Sequence, residues 1–100
     1  MINEPSWLDK TRGYIDIGML VEASREIERL PPAKRKSPEA QEIKIVITML
    51  EENLDDAFAL SERLCEEHPE KHGGFIHGAY CLHAMGKAQE AIDFLQSGPK

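Results

Sequence analysis

The chain has no long apolar run, only two cysteines, and one Trp, two Tyr and three Phe among its 100 residues. No stretch approaches the roughly 18 consecutive apolar residues of a membrane-spanning helix, so no membrane partner is expected. The first residues, MINEPSWLDK, carry neither the positive flank nor the apolar run of a secretory leader. Without a leader, Cys65 and Cys81 fit a reducing cytoplasm in which thiols stay free. Positive charge is also scarce, with Lys+Arg 12 against Asp+Glu 18 and a net charge of −6. A nucleic-acid binder neutralises phosphates with clustered cations, so none is expected here. The single basic run, Lys34-Arg35-Lys36, lies in a Pro-rich connection and reads as a solvated linker. An apolar fraction of 41% beside a charged fraction of 30% suits thin helical layers better than a thick enzyme core. A chain of this length still buries roughly two-thirds of its unfolded surface and makes one domain, residues 1–100.

Catalytic patterns are missing as well. Ser6, Ser24, Ser37, Ser61 and Ser97 lack the strand-turn-helix setting that exposes a nucleophile. The HGGF stretch at residues 72–75 has no preceding strand, and Gly73-Gly74 reads as a loose junction. GMLVEA and GKAQEA lack phosphate-loop spacing. The expectation is therefore no enzyme and no cofactor.

What is present is a period. Ala23, Ala57 and Ala91 recur at a spacing of 34 residues (57 − 23 and 91 − 57). Trp7, Gln41 and Phe75 then share one column, Tyr14, Thr48 and Leu82 another, and Gly18, Glu52 and Gly86 a turn column. Local patterning predicts six helices, at about 5–17, 20–30, 38–51, 54–67, 74–85 and 88–97. In the second, Leu20, Ala23, Ile27 and Leu30 fall on one face, and Pro31-Pro32 stop it. In the fourth, Leu54, Ala57, Phe58, Ser61, Leu64 and Cys65 form the stripe. IKIVITML is β-branched enough to pass for a strand, but Ser37-Pro38-Glu39 is a helix-start signal just ahead of it. The turns IGM, EEN and MGK are short, so each helix pair lies antiparallel. Gly18, Gly86 and, at the middle turn, Asn53 suit the positive φ that such turns use.

A large residue, a turn and a small alanine kept in step over 34 residues resemble the tetratricopeptide repeat (TPR) family. Trp7, Tyr14, Gly18, Ala23 and Ile27 carry the resemblance in the first repeat. Ala57, Leu64 and Pro69 carry it in the second, and Phe75, Ala79, Leu82, Gly86, Ala91 and Leu95 in the third. The resemblance implies an all-α, right-handed stack of antiparallel helix pairs, a TPR-like α-solenoid with repeats at about 4–37, 38–71 and 72–100. The family's Leu-Gly pair is replaced by Lys10-Thr11, Lys44-Ile45 and Gly78-Ala79. Ile45, where helices should touch, implies a wider gap or a shifted register in the second repeat.

Register with the family also implies a site. The concave groove would present Leu8, Arg12 and Ile15 from the first repeat, Glu42, Val46 and Met49 from the second, and Ile76, Tyr80 and His83 from the third. At the positions of the family's carboxylate clamp stand Leu8, Arg12, Ile43, Gly73 and His77, so that clamp is absent. The resemblance therefore implies a protein–protein interaction module, adaptor or chaperone-like, that takes an extended or helical apolar peptide segment. Two rivals stand beside it. One is a self-assembling piece of a longer array. Ile92, Phe94 and Leu95 cannot all be buried in one helix pair, so a homodimer through residues 88–97 is expected. The other is a zinc-stabilised domain using Cys65, His68, His72, His77, Cys81 and His83. The register instead makes the cysteines core residues and the histidines ordinary surface residues, so no metal is expected.

Overall fold

Ser6 and Ser37 each stand one residue ahead of a helix and cap it. The Ser6 Oγ accepts the backbone N–H of Asp9 at 3.2 Å. The Ser37 Oγ accepts that of Ala40 at 3.3 Å and donates to the Lys34 carbonyl at 2.7 Å. Both satisfy donors that a helix start leaves without a partner. The structure, a computed structural model, describes residues 6–100. The readings that fall on residues 1–5, including the helix start at 5 and the repeat start at 4, lie outside the described residues. The described residues form seven helices and no strand: α1 (Trp7–Asp16), α2 (Leu20–Glu28), α3 (Pro32–Arg35), α4 (Pro38–Leu50), α5 (Leu54–Glu67), α6 (Gly73–Ala84) and α7 (Ala88–Gln96). None is long and apolar enough to cross a membrane.

The six long helices match the sequence expectation within a few residues at each end, and the β-branched IKIVITML run is helical. The short α3 is a correction. Pro32 does not merely end the preceding helix. Its fixed φ and missing N–H suit the first position of a helix, and one turn forms there before Ser37 starts α4.

The turn column is built the same way three times. Gly18, Glu52 and Gly86 adopt φ of 80°, 64° and 82°. The residues that follow, Met19, Asn53 and Lys87, donate their N–H groups to the carbonyls of Tyr14, Thr48 and Leu82 at 2.7, 3.1 and 2.9 Å. This is the six-to-one closure that ends many helices, and it places the next helix start in one fixed orientation. The period in the sequence is thus a period in the backbone. Asn53 does not take the positive φ expected of it; Glu52 does, and Asn53 stands at −89°.

The turns fold the chain into pairs, α1 on α2, α4 on α5 and α6 on α7. Neighbouring pairs meet through α2 on α4, α4 on α6 and, most extensively, α5 on α6. Gly73-Gly74 explains the last contact and corrects the expected loose junction. Both glycines begin α6, and Gly74 is buried where a Cβ would stand 2.8 Å from the Cys65 Sγ and 3.0 Å from the Ser61 carbonyl oxygen. The missing side chain at Gly74 lets α6 approach α5, and that at Gly73 leaves room for Glu42 of α4.

Three apolar clusters run along the molecule. Ala23, Ile27, Ile43 and Ile47 join the first pair to the second, with Trp7, Leu8, Tyr14, Ile15 and Leu20 packed around them. Ile45, Ala57, Leu64 and Cys81 form the middle, and Ala79, Leu82 and Ala91 the third. Ile45 is 0% exposed. Its bulk is met by the small Ala57 and Cys81, which accounts for a full-sized side chain at a helix contact. The buried hydroxyls of Thr11 and Ser61 donate to the carbonyls of Trp7 and Ala57, four residues back, at 2.6 and 2.9 Å. The molecule measures 48 × 27 × 24 Å with a radius of gyration of 14.2 Å. A compact domain of this length has about 13 Å, so the molecule is compact but somewhat elongated.

Candidate functional site

A recess of about 380 Å³ opens between α1, α4 and α6. Ile15, Ile43 and Val46 supply its apolar wall, and Arg12, Asp16, Glu39, Glu42 and His77 its polar rim. Helical spacing explains the grouping, because Ile15 and Asp16 lie three and four residues after Arg12, Glu42 and Ile43 three and four after Glu39, and Val46 four and three after those two. The His77 Nε2 lies 3.0 Å from the Glu42 Oε1, tying α6 to α4 across the recess. Gly73, one turn earlier on α6, faces the same Glu42 side chain and leaves room for it.

Of the nine groove positions, Arg12, Ile15, Glu42 and Val46 come together in this recess. The other five do not line it. Leu8 packs against the Ala23–Ile27–Ile43–Ile47 cluster, and Met49 against Ile45, Ala57, Leu64 and Cys81. Ile76 and Tyr80 are 53% and 59% exposed on α6, and His83 is exposed nearer its end. Nothing in the repeat register assigns Asp16 or Glu39 to this surface, and the sequence marks His77 only as a possible metal ligand and as a position of the absent clamp. The signal for His77 was its place three residues before Tyr80, on the helix already assigned to the groove.

The Cys/His set is spread over the surface and core rather than collected. Cys81 is fully buried and Cys65 half-buried against Gly74. His68 lies 3.6 Å from Glu70, and His77 is engaged by Glu42. His72 and His83 are exposed. Among the described residues no three His, Cys, Asp or Glu side chains converge as metal ligands would. Burial, with the Glu62 carboxylate adding to it, pushes the Cys65 thiol up to about 11, and burial raises Cys81 as well. Both are therefore protonated at neutral pH and poor nucleophiles.

On α7, Ile92 and Leu95 are each 49% exposed. Phe94 points the other way. It packs on Gly78 and lies 5.3 Å from the Phe58 ring and 5.8 Å from that of Phe75, centroid to centroid. It is thus occupied within its own chain. Comparison with protein-family models, with curated proteins and with solved structures gave no match to this chain.

Proposed function

We propose that the chain is a TPR-like protein–protein interaction module, adaptor or chaperone-like, that binds an apolar peptide segment, extended or helical, along its first helices. The observation that carries this reading is the α1–α4–α6 recess, which four register-derived groove residues line. Its apolar wall suits one or two apolar anchors, and the exposed Ile76 and Tyr80 extend an apolar path along α6. The threefold turn at Gly18, Glu52 and Gly86 supports the repeat architecture behind it. The proposed role is binding rather than catalysis, with no metal or cofactor.

The test is selection of binders from a random-peptide display library, followed by affinity measurement. Arg12→Glu and Tyr80→Ala, both at exposed positions, should each weaken the selected peptides by about tenfold, as loss of an anchor does. Glu62→Gln on α5 should leave them unchanged. Peptides that bind all these variants equally well would show that the segment is held elsewhere. A second reading, self-association through α7, is favoured by the half-exposed Ile92 and Leu95.

A further inference from the structure

A second recess, of about 260 Å³, lies on α4 between α2 and α5, with α3 at one edge. Its charge is opposite to that of the chain. Arg35 from the end of α3, Lys36 just after it, Lys44 from α4 and Arg63 from α5 line it, all exposed. The carboxylates that line it are Glu28 and Glu67, so the recess carries +2 (4 − 2) on a chain of net charge −6.

None of the four cations forms an ion pair among the described residues. The ion pairs among the described residues are Arg29–Glu26, His68–Glu70 and His77–Glu42. Glu67 is held by an amide instead. Gln41 Nε2 donates to the Glu67 carboxylate at 3.2 Å and to the Lys36 carbonyl at 2.8 Å. That side chain fastens the α3 turn, and the basic pair on it, to the body of the protein. Between the cations the surface is apolar, formed by buried Ile27 and Ala40 and half-buried Leu60.

We propose that this recess is a docking site for an acidic peptide segment that seats one apolar side chain on Ile27, Ala40 and Leu60 and sets flanking carboxylates against Arg35, Lys36, Lys44 and Arg63. Complementary charge selects the occupant: like charges facing each other are strongly unfavourable, and here the uncompensated charge is positive. Nucleic acid fits less well, because the rest of the surface is acidic and repels an extended polyanion. The apolar floor adds a contact that a phosphate backbone does not use. The site is distinct from the α1–α4–α6 recess and stands whether or not that one binds peptide.

The probe is a short synthetic peptide with a Leu-Phe pair flanked by Asp and Glu, followed by backbone amide NMR and fluorescence anisotropy. Shifts at Ala40, Lys44 and Arg63 are expected, with affinity falling steeply as salt rises from about 0.05 to about 0.5 M. The Asn/Gln version of the peptide should bind at least about tenfold more weakly. The double variant Arg35→Glu, Lys36→Glu, confined to exposed positions, and separately Lys44→Glu should each lose binding by a similar factor while circular dichroism stays unchanged. Glu51→Gln, exposed and outside both recesses, should bind the peptide as the parent does. No binding, equal binding of the neutral peptide, shifts confined to the α1–α4–α6 recess, or tighter binding of an oligothymidylate would each overturn the proposal. So would displacement of the peptide by the chain itself at low concentration, which would make a second copy the occupant.

Discussion

The ring of Phe94 on α7 occupies the space in which a side chain at Gly78 on α6 would stand. The third helix pair is therefore closed by an aromatic group resting on bare backbone. Alanine at an ordinary helix interior is more favourable than glycine by about 1 kcal/mol. Here Gly78→Ala should destabilise by about 1–3 kcal/mol, because the ring must shift against Phe58 and Phe75. In a Phe94→Ala background the same change should become neutral or stabilising. Denaturant melts of the four proteins in this double-mutant cycle measure the coupling. Additive effects would show that the two residues do not press on each other.

Ala57 is 0% exposed and lies in the middle cluster with Ile45, Leu64 and Cys81. It has helix pairs on both sides and little freedom to relax. Ala57→Leu should cost about 1–3 kcal/mol by overpacking. Glu62→Gln, exposed on the same helix, should stay within about 0.5 kcal/mol. Equal midpoints in urea for the two variants would contradict the packing described for α4 and α5.

Glu52 holds a φ of 64° that the equivalent turns give to glycine. A left-handed conformation costs a residue with a Cβ about 1–2 kcal/mol. Glu52→Gly should therefore raise stability by roughly 1 kcal/mol, and Gly18→Ala and Gly86→Ala should lower it by a similar amount. Thermal melts of the three variants check all three signs. A loss of stability in Glu52→Gly would show that the glutamate side chain does more for the turn than its backbone strain takes away.

These turns also show where the sequence was legible. Helix starts, helix ends and the stripe on α5 followed from capping residues and apolar spacing, which are local. The identity of the positive-φ residue was misread because residue type favours Asn53, whereas the closure of the turn is fixed by position, and Glu52 occupies it. Gly73-Gly74 was misread for a related reason. Adjacent glycines loosen an isolated chain, but here α5 packs against the space at Gly74 and Glu42 of α4 fills the space at Gly73. Arg12, Ile15, Glu42 and Val46 were assigned to one surface from register and do line one recess. Leu8 and Met49 share that register, yet neighbouring helices draw them onto the core. The basic recess was not legible at all. Arg35 and Arg63 are far apart in sequence, and only the crossing of α3, α4 and α5 brings them to one cleft.

Cys65 and Cys81 should be slow toward alkylating reagents. With the Cys65 thiol at about 11 rather than 9.0, almost none of it is thiolate at about pH 8. Iodoacetamide should label both cysteines far faster in denaturant than in native buffer, with Cys81, fully buried, the slower under native conditions. The sign of the stability effect follows from linkage. A thiol with a raised pKa is protonated when folded while its unfolded counterpart ionises. Its favourable contribution is complete below about pH 9 and is lost as pH rises through about 11. Cys65→Ser should flatten the fall in stability over that range. Rapid native labelling at neutral pH would show that the helix junction opens far more often than its packing implies.

The exposed side of α7 gives the last expectation. Ala88, Ile92 and Leu95 lie four and three residues apart and so share one face of the helix, and all three are exposed. Phe94, turned inward onto Gly78, contributes nothing to that face. It is also unsuitable as a probe of association, since Phe94→Glu would place a charge among Phe58 and Phe75 and unfold the third pair. The informative changes are Ile92→Glu and Leu95→Glu. Each puts a carboxylate where a partner's apolar surface would sit and leaves the intrachain core intact. If this face mediates self-association, the sedimentation coefficient of the parent should rise with concentration, and either substitution should shift the association constant by about tenfold or more. The melting temperature at low concentration should change little, because both side chains are already half in water. A concentration-independent monomer, unaffected by either substitution, would rule out association through α7.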